Sequence, residues 1–149
     1  PGEISWNVVE QPEFVRLGRA FETSKLHFHI SFDEVLAGGL PDVVLLSSVL
    51  QYLQHPDNIM SEIKTAGVPH VVIDRTPFFQ GEQDLLTVQR VPPDIYEASY
   101  PCWIFSRPRL LRAMKTDYRL VAAFKDAGSP WQGPRIKFDL AGFMFDRKN

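Results

Sequence analysis

Asp42-Val43-Val44-Leu45-Leu46-Ser47-Ser48-Val49-Leu50-Gln51-Tyr52-Leu53 is the stretch that decides the fold. Val43 to Leu46 is a continuous apolar run, the pattern of a strand buried on both faces. Ser47-Ser48 ends the run in a turn. Pro56 and Asp57 then open a helix with Ile59, Ile63 and Ala66 on one face. Gly67 is placed to cap its C-terminus. Val68 to Asp74 follows as a second buried strand. Buried strands alternating with amphipathic helices predict an α/β sheet with helices covering both faces.

Working upstream, Ile4 to Glu10 is a short β-branched and aromatic strand. Pro12 suits the first turn of a helix, where its missing N–H costs little. Phe14, Leu17 and Phe21 recur at helical spacing. Leu26 to Phe32 alternates with period two, with Leu26, Phe28, Ile30 and Phe32 on one face, so it reads as a half-buried strand. Asp33 to Ala37 forms a short helix or turn closed by Gly38-Gly39. Working downstream, residues 76–105 read as a long connection rich in proline and aromatics, with one short strand, Leu85 to Val91. Ser106 caps a helix carrying Leu110, Leu111 and Met114. Tyr118 to Phe124 and Leu140 to Phe145 close the chain as an antiparallel pair.

Composition narrows the functional classes. The chain has 149 residues, 44% apolar and 23% charged, with one cysteine and 12 prolines. That length suits a single domain over residues 1–149. No apolar run approaches the roughly 20 residues that cross a bilayer. One cysteine excludes an internal disulfide framework. These features fit a soluble protein, expected in the cytoplasm. Net charge is −2, but residues 103–149 hold ten Lys/Arg against four Asp/Glu. No basic run with interleaved aromatics accompanies that excess, so a nucleic-acid partner is not expected.

Ligands of open α/β sheets bind beyond the carboxyl ends of the strands. That rule selects Glu10-Gln11, Ser31-Phe32, Ser47 to Tyr52, and Asp74 to Thr76. A carboxylate ending a strand, such as Glu10, can accept both hydroxyls of a ribose or simply face water. Ser47 and Ser48 can approach a ligand closely or cap a turn. Tyr52, His55 and Asp74 are the candidates for a proton acceptor. Arg75 can clamp a substrate anion or pair with Asp74 or Glu82. Arg90 and Arg107, with Tyr96, Tyr100 and Trp103, form either a substrate wall or a cluster that pins the loop. His27 and His29 lack a third ligand at zinc-like spacing, so no metal site is expected. Cys102 reads as a buried thiol. There is no Gly-x-Ser-x-Gly elbow and no P-loop.

Taken in order, WNVVEQP, DVVLLSSVLQYL, HVVIDRTPF, LTVQRVPPDIY and SYPCWIFSR resemble a family of bacterial methyltransferases related to the class I S-adenosylmethionine-dependent enzymes. The resemblance runs from about Trp6 to Phe145. It implies a Rossmann-like three-layer sandwich, mostly parallel, with a final antiparallel hairpin. It implies S-adenosylmethionine as cofactor and a small molecule as methyl acceptor. By the same carry-over Glu10, with Gln11 beside it, holds the ribose. Ser31 and Phe32 lie near the adenine. Ser47, Ser48 and Val49 face the methionine end, and Tyr52 sits near the transferred methyl. On the reading of the residues themselves, Arg75, Tyr100 and Trp103 are the substrate-binding candidates.

Relatives carry a first strand and glycine-rich loop ahead of Trp6. No Gly-x-Gly occurs in this chain, and only nine residues precede Glu10. The chain is therefore expected to be the C-terminal portion of such a domain, truncated and inactive alone. The alternative is a non-catalytic module of the same fold. Loss of a central strand would open two strand edges. The expectation is direct pairing of Ile4–Glu10 with Val43–Leu46, or closure by a second copy of the chain.

Overall fold

A computed structural model describes residues 2–125 and 136–149. The chain divides into two compact units, Pro1–Pro41 and Asp42–Asn149. Among the described residues no helix is long and apolar enough to cross a membrane.

The first unit runs β1 (Trp6–Val9), α1 (Pro12–Gly18), a 3₁₀ turn (Arg19–Phe21), β2 (Leu26–His29) and α2 (Phe32–Gly38). β1 and β2 pair in parallel, with Trp6 opposite Leu26 and Val9 opposite His29. Pro12 occupies the first turn of α1, as its fixed φ favours. The buried face of α1 is Val15 and Gly18. A Cβ at Gly18 would meet the Phe28 ring at 2.5 Å, so the glycine sets how closely α1 approaches β2. Phe14, Leu17 and Phe21 share helical spacing but point outward, each more than half exposed. Ser31 caps α2 by accepting the Glu34 N–H at 3.3 Å, and Phe32 and Val35 are buried beneath it.

The second unit holds β3 (Val43–Ser47), a 3₁₀ turn (Leu50–Tyr52), α3 (Pro56–Ala66), β4 (His70–Phe79), β5 (Leu85–Arg90), β6 (Ser99–Ser106), α4 (Arg107–Lys115), β7 (Tyr118–Lys125) and β8 (Asp139–Arg147). Its sheet runs β5-β6-β4-β8-β7, and β3 also pairs with β4. β4 is the hub. Its first half pairs in parallel with β3 and its last residues in parallel with β6. β8 lies antiparallel along the other edge. β5–β6 and β7–β8 are antiparallel as well. The sheet is thus mixed rather than mostly parallel. The physical source is the long connection, whose segment 99–106 is a full strand that turns back on β5.

Three further expectations change. β3 is a half-buried strand: Leu46 is buried, whereas Val43 and Leu45 are about half exposed. β1 pairs only with β2 and β3 only with β4 among the described residues, so the direct β1–β3 pairing is not formed. The connection from 76 to 105 carries two strands and the end of β4 in place of one short strand.

The core of the second unit is aromatic. Phe143 meets Phe78 edge-to-face at 5.0 Å, and Phe105 lies 5.9 Å from Phe78. Gly67 adopts the left-handed conformation (φ 83°) that ends α3. The chain then enters β4 beneath Tyr118, whose hydroxyl donates to the Val68 carbonyl at 2.9 Å in a fully buried setting. Tyr118→Phe leaves that carbonyl without its donor. It is expected to lower unfolding free energy by about 1–3 kcal/mol in urea titrations, with an unchanged m-value. A loss below a few tenths would show the bond to be dispensable.

Candidate functional site

In the second unit the carboxyl ends of β3 and β4 form a hydrogen-bonded knot. Two non-glycine residues there adopt left-handed backbone, Ser48 (φ 54°) and Arg75 (φ 49°). That region costs about 1–3 kcal/mol per residue and persists where surrounding bonds over-determine it. The bonds are present. Ser48 N–H donates to the Asp74 carbonyl at 3.0 Å, and its hydroxyl to the Arg75 carbonyl at 3.3 Å. Gln51 Nε2 donates to the same Arg75 carbonyl at 3.4 Å. The Asp74 carboxylate accepts the Ser47 hydroxyl at 3.2 Å and the Arg75 N–H at 2.8 Å. Thr76 Oγ1 donates to the Asp74 carbonyl at 3.0 Å. The β4–β8 register shifts between Ile73 and Thr76, so β4 bends at this point.

Beside the knot lies a cleft of about 690 Å³ between the 3₁₀ turn 50–52, β5 and β6. Tyr52, Tyr96, Tyr100 and Trp103 are its aromatic walls, and Gln51, Leu53, Gln54, Leu86 and Pro101 complete them. Tyr52 and Tyr100 meet edge-to-face at 5.5 Å. Tyr52 donates to Gln89 Oε1 at 3.1 Å, and the Trp103 indole N–H to the Leu53 carbonyl at 3.0 Å. Among the described residues no charged side chain lines the cleft. A smaller cleft of about 400 Å³ shares Trp103 and includes His55, Asp57 and Arg109. Arg109 ties three elements together, bonding Asp57 at 2.7 Å and Asp84, which also accepts the Ser106 N–H.

The electrostatics keep the aromatic cleft neutral. Burial pushes the Tyr52 phenol above its ordinary value, and Cys102 adds to the push. Burial, with contributions from Tyr96 and Tyr52, pushes Tyr100 up to about 12. Burial raises the Cys102 thiol to about 11, so it is no nucleophile at neutral pH.

The structure gathers some predicted residues and separates others. Tyr52, Tyr100 and Trp103 share the aromatic cleft, whereas His55 lines the smaller one. Ser47, Ser48, Asp74 and Arg75 meet in the knot, and Val49 begins the turn after it. Arg75 forms no ion pair among the described residues. Glu82, its suggested partner, pairs with Arg112 at 3.0 Å. Arg107 leaves the aromatic wall and lies 5.4 Å over the Phe143 ring. Arg90 stands opposite Ser99 in the β5–β6 ladder. In the first unit Glu10 follows β1, exposed, with one carboxylate oxygen accepting the Gln11 N–H at 3.1 Å. Ser31 Oγ is committed to its helix cap, and Phe32 buries its ring. His29 bonds Asn7 at 2.9 Å.

Sequence reasoning included Gln51 in the stretch Ser47 to Tyr52 but gave it no role, and it missed Leu86 as a lining residue. The one signal for Gln51 is its polarity inside an otherwise apolar segment, Val49 to Leu53.

Comparison with protein-family profiles finds no match, and none is found among curated protein sequences. Among solved structures the chain is similar to the glycopeptide N-methyltransferase MtfA complexed with sinefungin. The superposition has a TM-score of 0.54 at 9% identity and covers 94% of this chain and 75% of that one. The likeness is one of fold. It shows a methyltransferase-like α/β architecture, in which the carboxyl-end knot is the natural place to look for chemistry.

The Cys102 and Tyr100 shifts set a pH dependence. Both groups titrate higher in the folded chain, so the folded state prefers their neutral forms. The associated stability is complete below pH of about 9, the thiol's ordinary value, and is lost as pH rises through about 11 and 12. Denaturation midpoints should fall between pH 8 and pH 11, and fall less in Cys102→Ala. An equal fall in both proteins would contradict a buried neutral thiol.

Proposed function

We propose that the protein transfers a methyl group from S-adenosylmethionine to a small-molecule acceptor. The observation that carries this reading is the fold likeness to a methyltransferase solved with sinefungin, an analogue of that cofactor.

In the first unit Glu10 fits the ribose of the cofactor. Glu10 is exposed at a strand end, and one of its oxygens has no partner among the described residues. Such a carboxylate suits a vicinal diol. Gln11 adjoins it. Ser31 and Phe32 would contribute chiefly backbone groups, since the Ser31 hydroxyl is committed and the Phe32 ring buried. In the second unit the Ser47 and Ser48 hydroxyls already serve the knot, which leaves the backbone at Val49 as the remaining candidate of that stretch. When bound, S-adenosylmethionine supplies an electrophilic methyl group.

The chain's own task is alignment and exclusion of water, which can be worth up to about 7–11 kcal/mol in ideal cases. Tyr100 and Trp103 provide acceptor-side walls, and Arg75 stands at the knot beside them. Tyr52, with its raised pKa, acts as a neutral donor or acceptor and not as a base at neutral pH. Asp74 already accepts two hydrogen bonds, which fixes its position. His55 lies in the smaller cleft.

A second reading, a non-catalytic module that pairs with another copy of itself, draws on β3. Its second edge has no strand partner among the described residues, and Val43 and Leu45 are half exposed.

Calorimetry on the protein as its gene encodes it separates the two. The transferase reading expects saturable binding of S-adenosylmethionine, weakened about tenfold or more in Glu10→Ala, the loss typical of a charge-assisted hydrogen bond. Equal affinity in Glu10→Ala would remove the ribose role. Absence of binding together with a stable dimer would favour the module.

A further inference from the structure

The four rings that wall the cleft beside the knot leave much of their surface uncovered, Tyr52 being 43% and Tyr96 56% exposed. The Tyr52 and Tyr100 rings stand at 79° to each other, so two of the walls meet as a corner. Trp103 is fixed by its indole bond to the Leu53 carbonyl. Aromatic surface gathered in a concave site and left open to water marks a place that a ligand covers. The polar groups of the lining do not select that ligand. The Gln51 amide is buried out of its reach. Tyr52 donates to Gln89, whereas the Tyr96 and Tyr100 hydroxyls and the Gln54 amide can each donate or accept. Charge and the rings decide instead.

We propose that this cleft binds a methylated ammonium group among the rings of Tyr52, Tyr96, Tyr100 and Trp103. The face of an aromatic ring is electrostatically negative and attracts a cation within about 6 Å of its centre, so several rings around one cleft favour a positive guest. The surroundings agree in sign. Among the described residues no Lys or Arg lines the cleft. The adjoining cleft shares Gln54 and Trp103 and sets two carboxylates, Asp57 and Asp84, against one guanidinium, Arg109, with His55 beside them. Asp94 and Glu97 flank Tyr96 in the sequence, against Arg90 at the end of β5. Burial holds Tyr52 and Tyr100 protonated, so they act as neutral rings and not as phenolates. Methylation decides among cations. A primary ammonium is strongly hydrated and finds no carboxylate in the cleft to replace its water. A methylated one carries little hydration and presents apolar surface to the rings. An anion would meet ring faces of its own sign. As the acceptor site of methyl transfer, with an amine as acceptor, this inference rests on the reading above; as a binding site it does not need the cofactor.

The test is a proton NMR titration of the cofactor-free protein with choline, following the indole N–H resonance that Trp103→Phe removes. Saturable binding is expected, at least about fivefold tighter than that of 3,3-dimethylbutan-1-ol, which has the same shape without the charge. Ethanolamine, the unmethylated ammonium, should bind more weakly than choline. Tyr96 is exposed, so replacing it spares the core. Tyr96→Leu should weaken choline at least about threefold, while Tyr96→Phe, which keeps the ring, retains it. No saturation, equal affinity for choline and its neutral analogue, equal affinity for ethanolamine, or unchanged choline affinity in Tyr96→Leu would overturn the proposal. Choline binding without S-adenosylmethionine binding would leave the site standing and sink only the transferase reading.

Discussion

The second unit depends on one bend in one strand. β4 pairs with β3 as far as Asp74 and with β6 only from Phe78, while β8 accompanies it on the other edge with a register shift in between. At the exchange of partners Arg75 takes left-handed backbone and turns its carbonyl toward the turn that follows β3. Ser48 and Gln51 both bond that single oxygen. The position of the 3₁₀ turn, and with it Tyr52 and Leu53, follows from this bond pair. Leu53 in turn receives the Trp103 indole from β6. Strand exchange, strained backbone and aromatic cleft are thus linked consequences of the same geometry.

Charge is placed around the aromatic cleft, and among the described residues no charged side chain lines it. Arg109 at the start of α4 joins Asp57 of α3 to Asp84 before β5. Arg119 and His70 share Asp146 across the β7–β8–β4 ladder. Hydrogen bonds from both hold the Asp146 carboxyl below its ordinary range. The cleft itself contains phenols and a nearby thiol whose pKa values burial raises. Such a site recognises by shape and by its ring faces, not by ion pairing.

Local signals were legible where one chemical cause suffices. Pro12 opens α1, Ser106 caps α4 by accepting the Arg109 N–H at 3.1 Å, and Gly67 ends α3. The antiparallel closing pair also carried through, whereas the expected strand Leu26 to Phe32 shortens to Leu26–His29 without alternating burial, Ile30 being half exposed. What failed depends on partners distant in sequence. Segment 99–106 looked like loop because of Pro101. That proline is tolerated because β6 there has β5 on one side only, β4 joining at Phe105. The apolar run of β3 suggested burial on both faces, yet Val43 and Leu45 are half exposed. Among the site residues, Tyr52, Tyr100 and Trp103 could be named from residue type and segment. Gln51 lay inside the selected stretch, but its role could not be read, because a carbonyl 24 residues away sets it.

The bend at Arg75 is tested most directly by comparing Arg75→Gly with Arg75→Val in equilibrium unfolding. Glycine adopts positive φ freely, whereas a β-branched side chain there is strained. The account predicts that Arg75→Gly stays within about 1 kcal/mol of the parent, while Arg75→Val falls at least about 1–2 kcal/mol below the glycine variant. Equal stability of the two would contradict a left-handed residue at this position and, with it, the geometry of the cleft.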